Sequence, residues 1–401
     1  MTVVDDKNTT AGKRESVFRR LYVGTGAFDV VGARKRWYIF FGALVLVCIA
    51  SMGIKGFNFG IDFEGGTQIQ LPANGKNGQI TEEQAKKSFA DALGKPADEA
   101  QKVGSGVSST IQLRSDTLDA AEVARVKQAL FEELGPIGTS GQPSVQAISD
   151  SAVSASWGGE ISRQALIALG VFLLAVTLFL ALYFDVRMAA AALVSLLHDI
   201  VVTAGVYSLI GFEVTPATVI GLLTILGFSL YDTVVVFDKV RENTRGLLGL
   251  TRRTYGEAAN LALNQTLMRS FNTALIAMLP ILGLLVVGYV LLGSGTLQDL
   301  ALVQLTGTLV GVLSSVALAT PLLVDFKMRD PKYRQQADRV ASRRANQARK
   351  AAERADDDFD PTDEDALEAE LRKEKAYAAA ASVPARNQKA TKGRPSGKRK
   401  R

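Results

Sequence analysis

Six long apolar runs are the feature that most constrains how this 401-residue chain can fold. Each run is long enough to cross a hydrocarbon core of ~30 Å as a helix that rises about 1.5 Å per residue. Inside a bilayer, only helices and closed barrels satisfy all of their backbone hydrogen bonds. The sequence therefore predicts a polytopic α-helical membrane protein, with transmembrane helices over residues 37–54, 161–184, 188–212, 214–237, 270–292 and 300–324.

The composition agrees with a membrane protein that carries polar appendages, because 47% of the residues are hydrophobic and 21% are charged. The single cysteine, Cys48, and the single histidine, His198, leave no disulfide framework and no metal cluster based on cysteine or histidine. The sequence contains no Walker A, HExxH or GxSxG motif and no zinc-ligand spacing. We therefore expect no enzymatic activity, no cofactor and no metal.

The placement of lysine and arginine predicts the orientation of the helices, since cytoplasmic connections carry an excess of both residues. Basic residues precede the first run, follow the second and the fourth, and follow the sixth, whereas the short connections 211–215 and 293–298 carry none. Both termini and the loop 238–269 are therefore expected in the cytoplasm. The first run follows a long polar segment and lacks a cleavage site, so we interpret it as an uncleaved first helix.

The segment 55–160 lies between the first two runs and is long enough for a small domain. Strand-like stretches are predicted near residues 61–71, 107–113 and 144–149. A capping box at Thr81 predicts a helix that ends near Leu93, and an amphipathic pattern predicts a second helix over residues 118–134. The sequence thus predicts a small α+β domain on the extracytoplasmic side. A further short helix is expected to lie on the membrane surface over residues 254–268.

Both ends of the chain are polar. Residues 1–36 are expected to form a cytoplasmic arm, and residues 161–325 hold helices two to six. Residues 326–401 are rich in alanine and charge and have almost no large apolar side chains. Such a segment buries too little surface to offset its ordering entropy, so a disordered cytoplasmic tail is expected. Its basic end, residues 392–401, is a candidate for weak contact with lipid or nucleic acid, although a merely solvated tail is favoured.

Asp232 is the candidate functional residue, because it lies inside the fourth apolar run, with the five residues Thr233 to Phe237 between it and Asp238. A charged side chain in the centre of a membrane helix costs roughly 2.5–3.5 kcal/mol and marks a functional site by default. Burial and a nearby cation have opposed effects on the pKa of a carboxyl group, which suits a proton-binding site. Arg269, at the start of the fifth run, is the expected partner. The competing interpretation is a static pair that fixes helix packing.

His198 and Asp199 form a second polar pair, half-way along the third run. Adjacent residues on a helix point in different directions, so each is expected to bond a separate neighbour. Either one is a candidate member of a polar relay that extends from Asp232. In the sixth run, small residues at intervals of four predict a close packing face, with the seam to a partner subunit as the alternative. These residues are Gly307, Gly311, Ser315 and Ala319.

Three separated motifs resemble the SecD/SecF family of the resistance–nodulation–division superfamily. Residues 60–67 read GIDFEGGT, which is similar to the family's GIDFxGG signature, with Asp62, Gly65 and Gly66 as its key positions. Residues 229–243 read SLYDTVVVFDKVREN, which resembles the fourth-helix signature of the SecF branch, and residues 264–270 read NQTLMRS, which resembles its entry to the fifth helix. The third-helix His-Asp pair is also similar to one that is common in that branch. Two features depart from the pattern: the entry to the second helix, WGGEI at residues 157–161, and the long charged tail.

The resemblance implies a subunit that pairs with SecD and binds the SecYEG translocon, with YajC and YidC as further candidate partners. It implies that the pair uses the proton motive force in late steps of the export of an unfolded polypeptide across the bacterial cytoplasmic membrane. The family's functional aspartate corresponds to Asp232 and its fifth-helix arginine to Arg269. Protonation of Asp232 would weaken its pairing with Arg269 and let the helices move against the partner.

Three other functions stay open from the sequence. A half-size exporter of lipids or drugs would belong to the same superfamily, but six helices and one small outer domain argue against it. An intramembrane aspartyl protease would share the Tyr231-Asp232 dipeptide, but it needs a GxGD motif that the sequence lacks. The third is a structural subunit of the same complex, in which Asp232 does not couple proton movement to export.

Overall fold

A computed structural model describes residues 28–138, 141–292 and 295–356. Within them, six helices are long and apolar enough to cross a membrane, which confirms the predicted polytopic α-helical fold. A small α+β domain lies between the first and the second of these helices, as predicted. The described chain divides into two units, with the boundary between Ala337 and Asp338.

The elements follow one another in this order. The first membrane helix, α1, spans Arg34–Lys55. The domain then comprises β1 (Asn58–Phe59), α2 (Ile61–Glu64), β2 (Gly66–Pro72), β3 (Asn74–Gly75), β4 (Gly78–Gln79), α3 (Glu82–Leu93), β5 (Glu99–Val103), β6 (Thr110–Ser115), α4 (Ala120–Leu134) and β7 (Ser149–Val153). The remaining elements are α5 (Ala155–Tyr183), α6 (Val186–Ile210), β8 (Glu213–Val214), α7 (Pro216–Asn243), α8 (Tyr255–Val286), α9 (Gly295–Ser314), α10 (Thr320–Met328) and α11 (Pro331–Asp356).

The domain is a four-stranded antiparallel sheet in the order β5-β6-β2-β7, with a core shared by the sheet and by α3 and α4. Ile69 and Leu113 pair across β2 and β6, and both are fully buried. Both helices begin with capping boxes, including the predicted one at Thr81. The sequence missed β5, because the segment EAQKV has no apolar alternation. The strand expected at residues 144–149 is wrong in position, since a 3₁₀ turn occupies Val145–Ala147 and β7 begins at Ser149.

The domain joins the membrane helices at one end of the bundle, here called the domain end. β1 follows α1 and pairs in parallel with β8, which connects α6 to α7. Asn58 lies opposite Glu213, and Phe59 lies opposite Val214. At the opposite end of the bundle, three ion pairs join the helix termini: Arg34 with Asp325 at 3.2 Å, Lys327 with Asp185 at 2.8 Å, and Arg187 with Asp330 at 2.7 Å.

The fifth membrane helix differs from the prediction. The surface helix expected over residues 254–268 is instead the first part of α8, a continuous helix of 32 residues. Residues 257–279 contain no glycine or proline, so nothing in this stretch breaks the helix. In the sixth helix, a π-helical segment, Ser315–Ala319, links α9 to α10 just before Pro321. Proline lacks an N–H and clashes with the carbonyl group four residues earlier, which accounts for this irregular turn.

The tail predicted to be disordered over residues 326–401 is helical in its first part, because α10 reaches Met328 and α11 spans Pro331–Asp356. The prediction is wrong there. The composition indicates that the segment cannot form a hydrophobic core. Alanine, arginine, glutamine and lysine nevertheless have a high helix propensity, which does not require a core. Residues 357–401 of the tail, its basic end included, lie outside the described residues, as do residues 1–27 of the N-terminal arm.

Helices α1 and α6 approach closely where small residues meet. Cys48 and Gly205 face each other, and a Cβ atom built on Gly205 would lie 2.7 Å from the Cα atom of Cys48. One turn further, the hydroxyl groups of Ser51 and Ser208 are 3.1 Å apart and share a hydrogen bond. Small residues are how membrane helices bring their backbones together, and a larger residue here would push α1 outward.

We expect Gly205→Val to destabilise the protein by about 1–3 kcal/mol, the usual effect of overpacking. The matched control is Gly170→Val on α5, where an added Cβ atom meets no other atom within 4 Å. Unfolding of both variants in detergent would measure the difference. Equal stability of the two variants would contradict a close α1–α6 contact.

Candidate functional site

Asp232 lies on the buried face of α7. The helix begins at a capping box on Thr215, with Pro216 in its first turn. Ile225, Ser229, Asp232 and Val236 then recur every three or four residues, and all four are buried. Only 5% of Asp232 is exposed. The spacing of this face therefore directs the carboxyl group into the bundle instead of toward lipid.

A small cavity lies beside the Asp232 carboxyl group. Its volume is about 20 Å³, which is room for about one water molecule. Ser229, Thr273 and Thr308 contribute hydroxyl groups to the lining, and Thr308 Oγ1 is buried without a hydrogen-bond partner among the described residues. The cavity thus places polar groups next to the one acid, which is the setting that a buried water needs.

Gly307 and Gly311 let α9 approach α7 at this cavity. A Cβ atom on Gly311 would lie 2.9 Å from Ser229 Cβ, and one on Gly307 would overlap the side chain of Ile225. The small-residue ridge of the sixth helix is therefore a packing face inside this chain. The alternative, that the ridge forms a seam to a partner subunit, is wrong, because Gly307, Gly311, Ser315 and Ala319 are all buried.

Arg269 lies next to Asp232 but bonds a different group. Its Nη2 atom donates a hydrogen bond to the hydroxyl group of Tyr231 at 3.0 Å, on an exposed face of the bundle. Adjacent residues on α7 point about 100° apart, so the Tyr231 side chain faces outward while Asp232 faces inward. Arg269 is close enough to act on Asp232 electrostatically, and Ser270 lies beside the same carboxyl group. The direct pair expected between Asp232 and Arg269 is replaced by this arrangement.

His198 and Asp199 are joined to each other, contrary to the expectation that each bonds a separate neighbour. His198 Nδ1 lies 3.0 Å from Asp199 Oδ1, and both side chains are buried. The remaining oxygen, Asp199 Oδ2, accepts a hydrogen bond from Ser229 Oγ. Ser229 also lines the cavity beside Asp232. The polar residues of α6 therefore reach the Asp232 cavity through one hydroxyl group.

Sequence reasoning missed Ser229 and Thr308, although a signal for Ser229 exists. It lies three residues before Asp232 and shares its buried helix face. Thr308 follows Gly307 in the small-residue ridge, and nothing in the sequence distinguishes it from other threonines of membrane helices. Such hydroxyl groups usually bond their own helix backbone, as Thr224 Oγ1 does with the Ile220 carbonyl oxygen at 2.8 Å.

The motif at Asp62, Gly65 and Gly66 lies at the domain end of the bundle, far along the chain from the Asp232 cavity. Gly65 has φ +83° and Gly66 has φ +122°, conformations that favour glycine. A Cβ atom on Gly65 would lie 2.7 Å from Ala155 Cα at the start of α5. The two glycines therefore let the chain turn from α2 into β2 while it packs against a membrane helix.

Chemically, the site offers a buried carboxyl group, hydroxyl groups and a nearby guanidinium. The described residues contain no group of three or more metal-ligating side chains. This arrangement suits the binding and release of a proton.

The comparisons with known proteins agree on one family. Residues 135–329 match the family described as protein export membrane protein SecD/SecF, C-terminal, and residues 50–75 match the SecD/SecF GG motif. The chain is 54% identical over 342 residues to the protein translocase subunit SecF of Mycobacterium tuberculosis, a match that covers 85% of this chain and 76% of the relative. It is 40% identical over 387 residues to the SecF of Streptomyces coelicolor, covering 95% of this chain and 98% of the relative.

The fold is also similar to a solved structure. The crystal structure of SecDF from Thermus thermophilus superposes with a TM-score of 0.64 at 31% sequence identity, over 75% of this chain. The match covers 38% of the SecDF chain, so this chain spans well under half of that longer protein.

We expect Ser229→Ala to destabilise the protein by about 1.5–3 kcal/mol, because it removes a hydrogen bond to a buried carboxylate. Ser315→Ala is the matched control, since the Ser315 hydroxyl group is also buried but bonds the Val312 carbonyl oxygen of its own helix. Chemical unfolding in detergent would compare the two variants. If both lose the same stability, Ser229 has no special bond to Asp199.

Proposed function

The chain belongs to the SecF branch of the SecD/SecF family of protein-export membrane proteins, and on that premise we propose that it is a subunit of a bacterial protein translocase. Relatives named protein translocase subunit SecF match it over most of their length, which supports the assignment. The six membrane-length helices and these relatives indicate a multi-pass protein of the bacterial inner membrane.

SecD is the partner that we propose first. The relatives named SecDF in Thermus thermophilus and Bacillus subtilis match this chain over only 39% of their own length. In those proteins the matching region is part of a longer polypeptide, so a separate subunit would supply the remainder here. The exposed Tyr231–Arg269 pair supports a protein partner on that face, because lipid tails offer such polar groups no hydrogen bonds.

The SecYEG translocon and the emerging unfolded polypeptide are the further partners that we propose. The Thermus thermophilus SecDF is described as a translocon-associated membrane protein, which supports the first of them. Association with YajC or YidC rests on the family resemblance alone. Contact of the basic tail with lipid or nucleic acid concerns residues outside the described part of the chain.

We propose that the subunit couples export to the proton motive force through Asp232. The observation that carries this proposal is a nearly fully buried aspartate, on a membrane helix, beside a cavity lined by hydroxyl groups. A carboxyl group without a direct ion pair can exist in either protonation state, whereas a tightly paired one stays ionised. The His198–Asp199–Ser229 chain is the candidate relay that delivers or removes the proton.

Arg269 would respond to the change in charge of the Asp232 carboxyl group. An ionised Asp232 attracts the neighbouring guanidinium, and a protonated one releases it to Tyr231 and to the partner surface. Such a step can bias the packing of α7 and α8 against the partner. A proton that crosses 100 mV supplies about 2.3 kcal/mol, which shifts a two-state equilibrium by roughly fifty-fold.

The orientation that we propose places both termini and the 238–269 loop in the cytoplasm and the α+β domain outside. The three ion pairs Arg34–Asp325, Lys327–Asp185 and Arg187–Asp330 support it, because they concentrate lysine and arginine at the end of the bundle opposite the domain.

We expect Asp232→Asn to abolish the gradient-dependent part of precursor export, a loss of up to about fifty-fold. The matched control is Asp238→Asn, the same substitution at an exposed position six residues further along the helix, which should leave export unchanged. Export into inverted membrane vesicles that contain the complete translocase would be measured with the gradient and after its collapse.

Two outcomes would contradict proton coupling. In the first, gradient-dependent export persists in Asp232→Asn but is abolished by deletion of the chain. This result would identify a structural subunit. Normal precursor export after deletion, together with altered drug or lipid efflux, would identify a half-size exporter.

A further inference from the structure

A second cluster of buried charge lies at the domain end of the bundle, where the α+β domain docks. Arg114 extends from β6, in the centre of the sheet, and only 9% of it is exposed. Its Nη1 atom donates hydrogen bonds to Asn58 Oδ1, to the Phe59 carbonyl oxygen and to Glu99 Oε2, at 3.1–3.2 Å. Its Nη2 atom pairs with Glu213, on the connection between α6 and α7. Arg114 therefore ties the domain to the membrane helices.

The cluster contains more acids than bases. Asp299, at the start of α9, is 8% exposed, and it interacts electrostatically with both Glu213 and Arg114. The Tyr207 hydroxyl group donates to the Asp299 carbonyl oxygen at 2.8 Å, which fixes this end of α9 against α6. The charged groups that face Glu213 are Arg114 and Glu99 from the sheet, Asp62 from α2, and Asp299 from α9. Lys55 of α1 lines the adjacent cleft and donates to the Leu209 carbonyl oxygen at 2.8 Å.

One guanidinium cannot neutralise two buried carboxylates. Asp299 is buried and the Glu213 side chain is only 12% exposed, whereas the Glu99 side chain is 40% exposed and can be solvated. Burial of an unpaired charge is strongly unfavourable, and an acid in that position takes up a proton instead. Burial raises the pKa of Glu213 above its ordinary value, against the opposing pull of Arg114. The docked cluster therefore favours the state with one carboxylate protonated.

We propose that docking of the α+β domain onto the membrane bundle takes up one proton, held by the Glu213–Asp299 pair with Arg114 as its counter-charge. This one-proton site extends the proposed function. It rests on that function because the proton motive force would supply the proton. In the undocked state both carboxyl groups would face water and keep ordinary proton affinity. The docked state binds the proton more tightly, so it is favoured at low pH and loses its advantage as pH rises.

The site is connected to the Asp232 cavity through two helices. Asp299 is the fifth residue of α9, and Thr308, which lines the cavity, follows nine residues later, about 14 Å along the helix. Glu213 lies three residues before the start of α7, which carries Asp232. A change at the domain end therefore acts on α7 and α9, the two helices that meet at the Asp232 cavity. Proton uptake from the outer side would dock the domain, and passage of the proton inward would release it.

Hydrogen–deuterium exchange of the full chain in lipid nanodiscs would test the proposal. The Gly60 amide, which donates to the Val214 carbonyl oxygen at 2.9 Å, reports opening of the β1–β8 pair. After division by the intrinsic exchange rate, we expect its opening constant to increase with pH by up to tenfold per unit above about pH 5, the range in which a carboxyl group in water is ionised. Amides of the β2–β6 pair, within the sheet, serve as the reference for the folded domain.

Glu213→Gln leaves Asp299 and Arg114 with balanced charge, so its β1–β8 opening should be independent of pH. Asp299→Asn should behave in the same way. It replaces Glu213→Gln as the test variant if Glu213→Gln changes the exchange of the β2–β6 reference amides. Asp150→Asn, which breaks an ion pair with Lys127 away from the junction, is the matched control and should keep the wild-type slope. A flat wild-type profile, or a wild-type slope in both acid variants, would overturn the proposal. Neither result depends on export. Failure of proton coupling at Asp232 would therefore leave this proposal intact, and failure of this proposal would leave proton coupling at Asp232 intact.

Discussion

Removal of the Asp232 carboxyl group from water is the constraint on which the rest of the structure depends. A charged group in a bilayer interior is stable only if protein groups replace its hydration, and otherwise it becomes neutral. Here the neighbours are hydroxyl groups and a cavity for about one water molecule, with Arg269 adjacent but bonded to Tyr231. We propose that this environment allows both protonation states, whereas a tight ion pair would fix the ionised one. This is the physical difference between a proton-binding site and a static packing pair.

The small residues of the bundle serve this site. Gly307 and Gly311 allow α9 to approach α7 so closely that the cavity beside Asp232 is narrow. Ser229 lies in the same contact, and it connects the Asp232 cavity to the buried Asp199. At the domain end, the same two helices begin beside Glu213 and Asp299. Helix α7 carries Asp232 and follows Glu213, and α9 carries Asp299, so a movement of one helix against the other would change the surroundings of the acids at both ends.

The sequence predicted what depends on local pattern and missed what depends on distant pairing. Six spans and Asp232 were visible, because an acid within an apolar run is conspicuous on hydropathy alone. The Arg114–Glu213 pair was not, since these residues lie far apart in the chain and each is ordinary in its own segment. The bond from Arg269 to Tyr231 depends on which side of α7 faces α8, a packing detail without a sequence signal. Helix α11 is not predicted from the lack of large apolar side chains, because a segment that buries little surface can still be helical when its residues have high helix propensity.

Infrared difference spectroscopy of the protein in lipid would test most directly whether Asp232 changes its protonation state. Spectra recorded in acidic and in alkaline buffer should differ by a carbonyl band of a protonated carboxylic acid. We predict that one component of this band disappears in Asp232→Asn and persists in the exposed-site control Asp238→Asn. A difference spectrum that is identical in the wild type and in Asp232→Asn would show that Asp232 never exchanges a proton, and it would contradict the account.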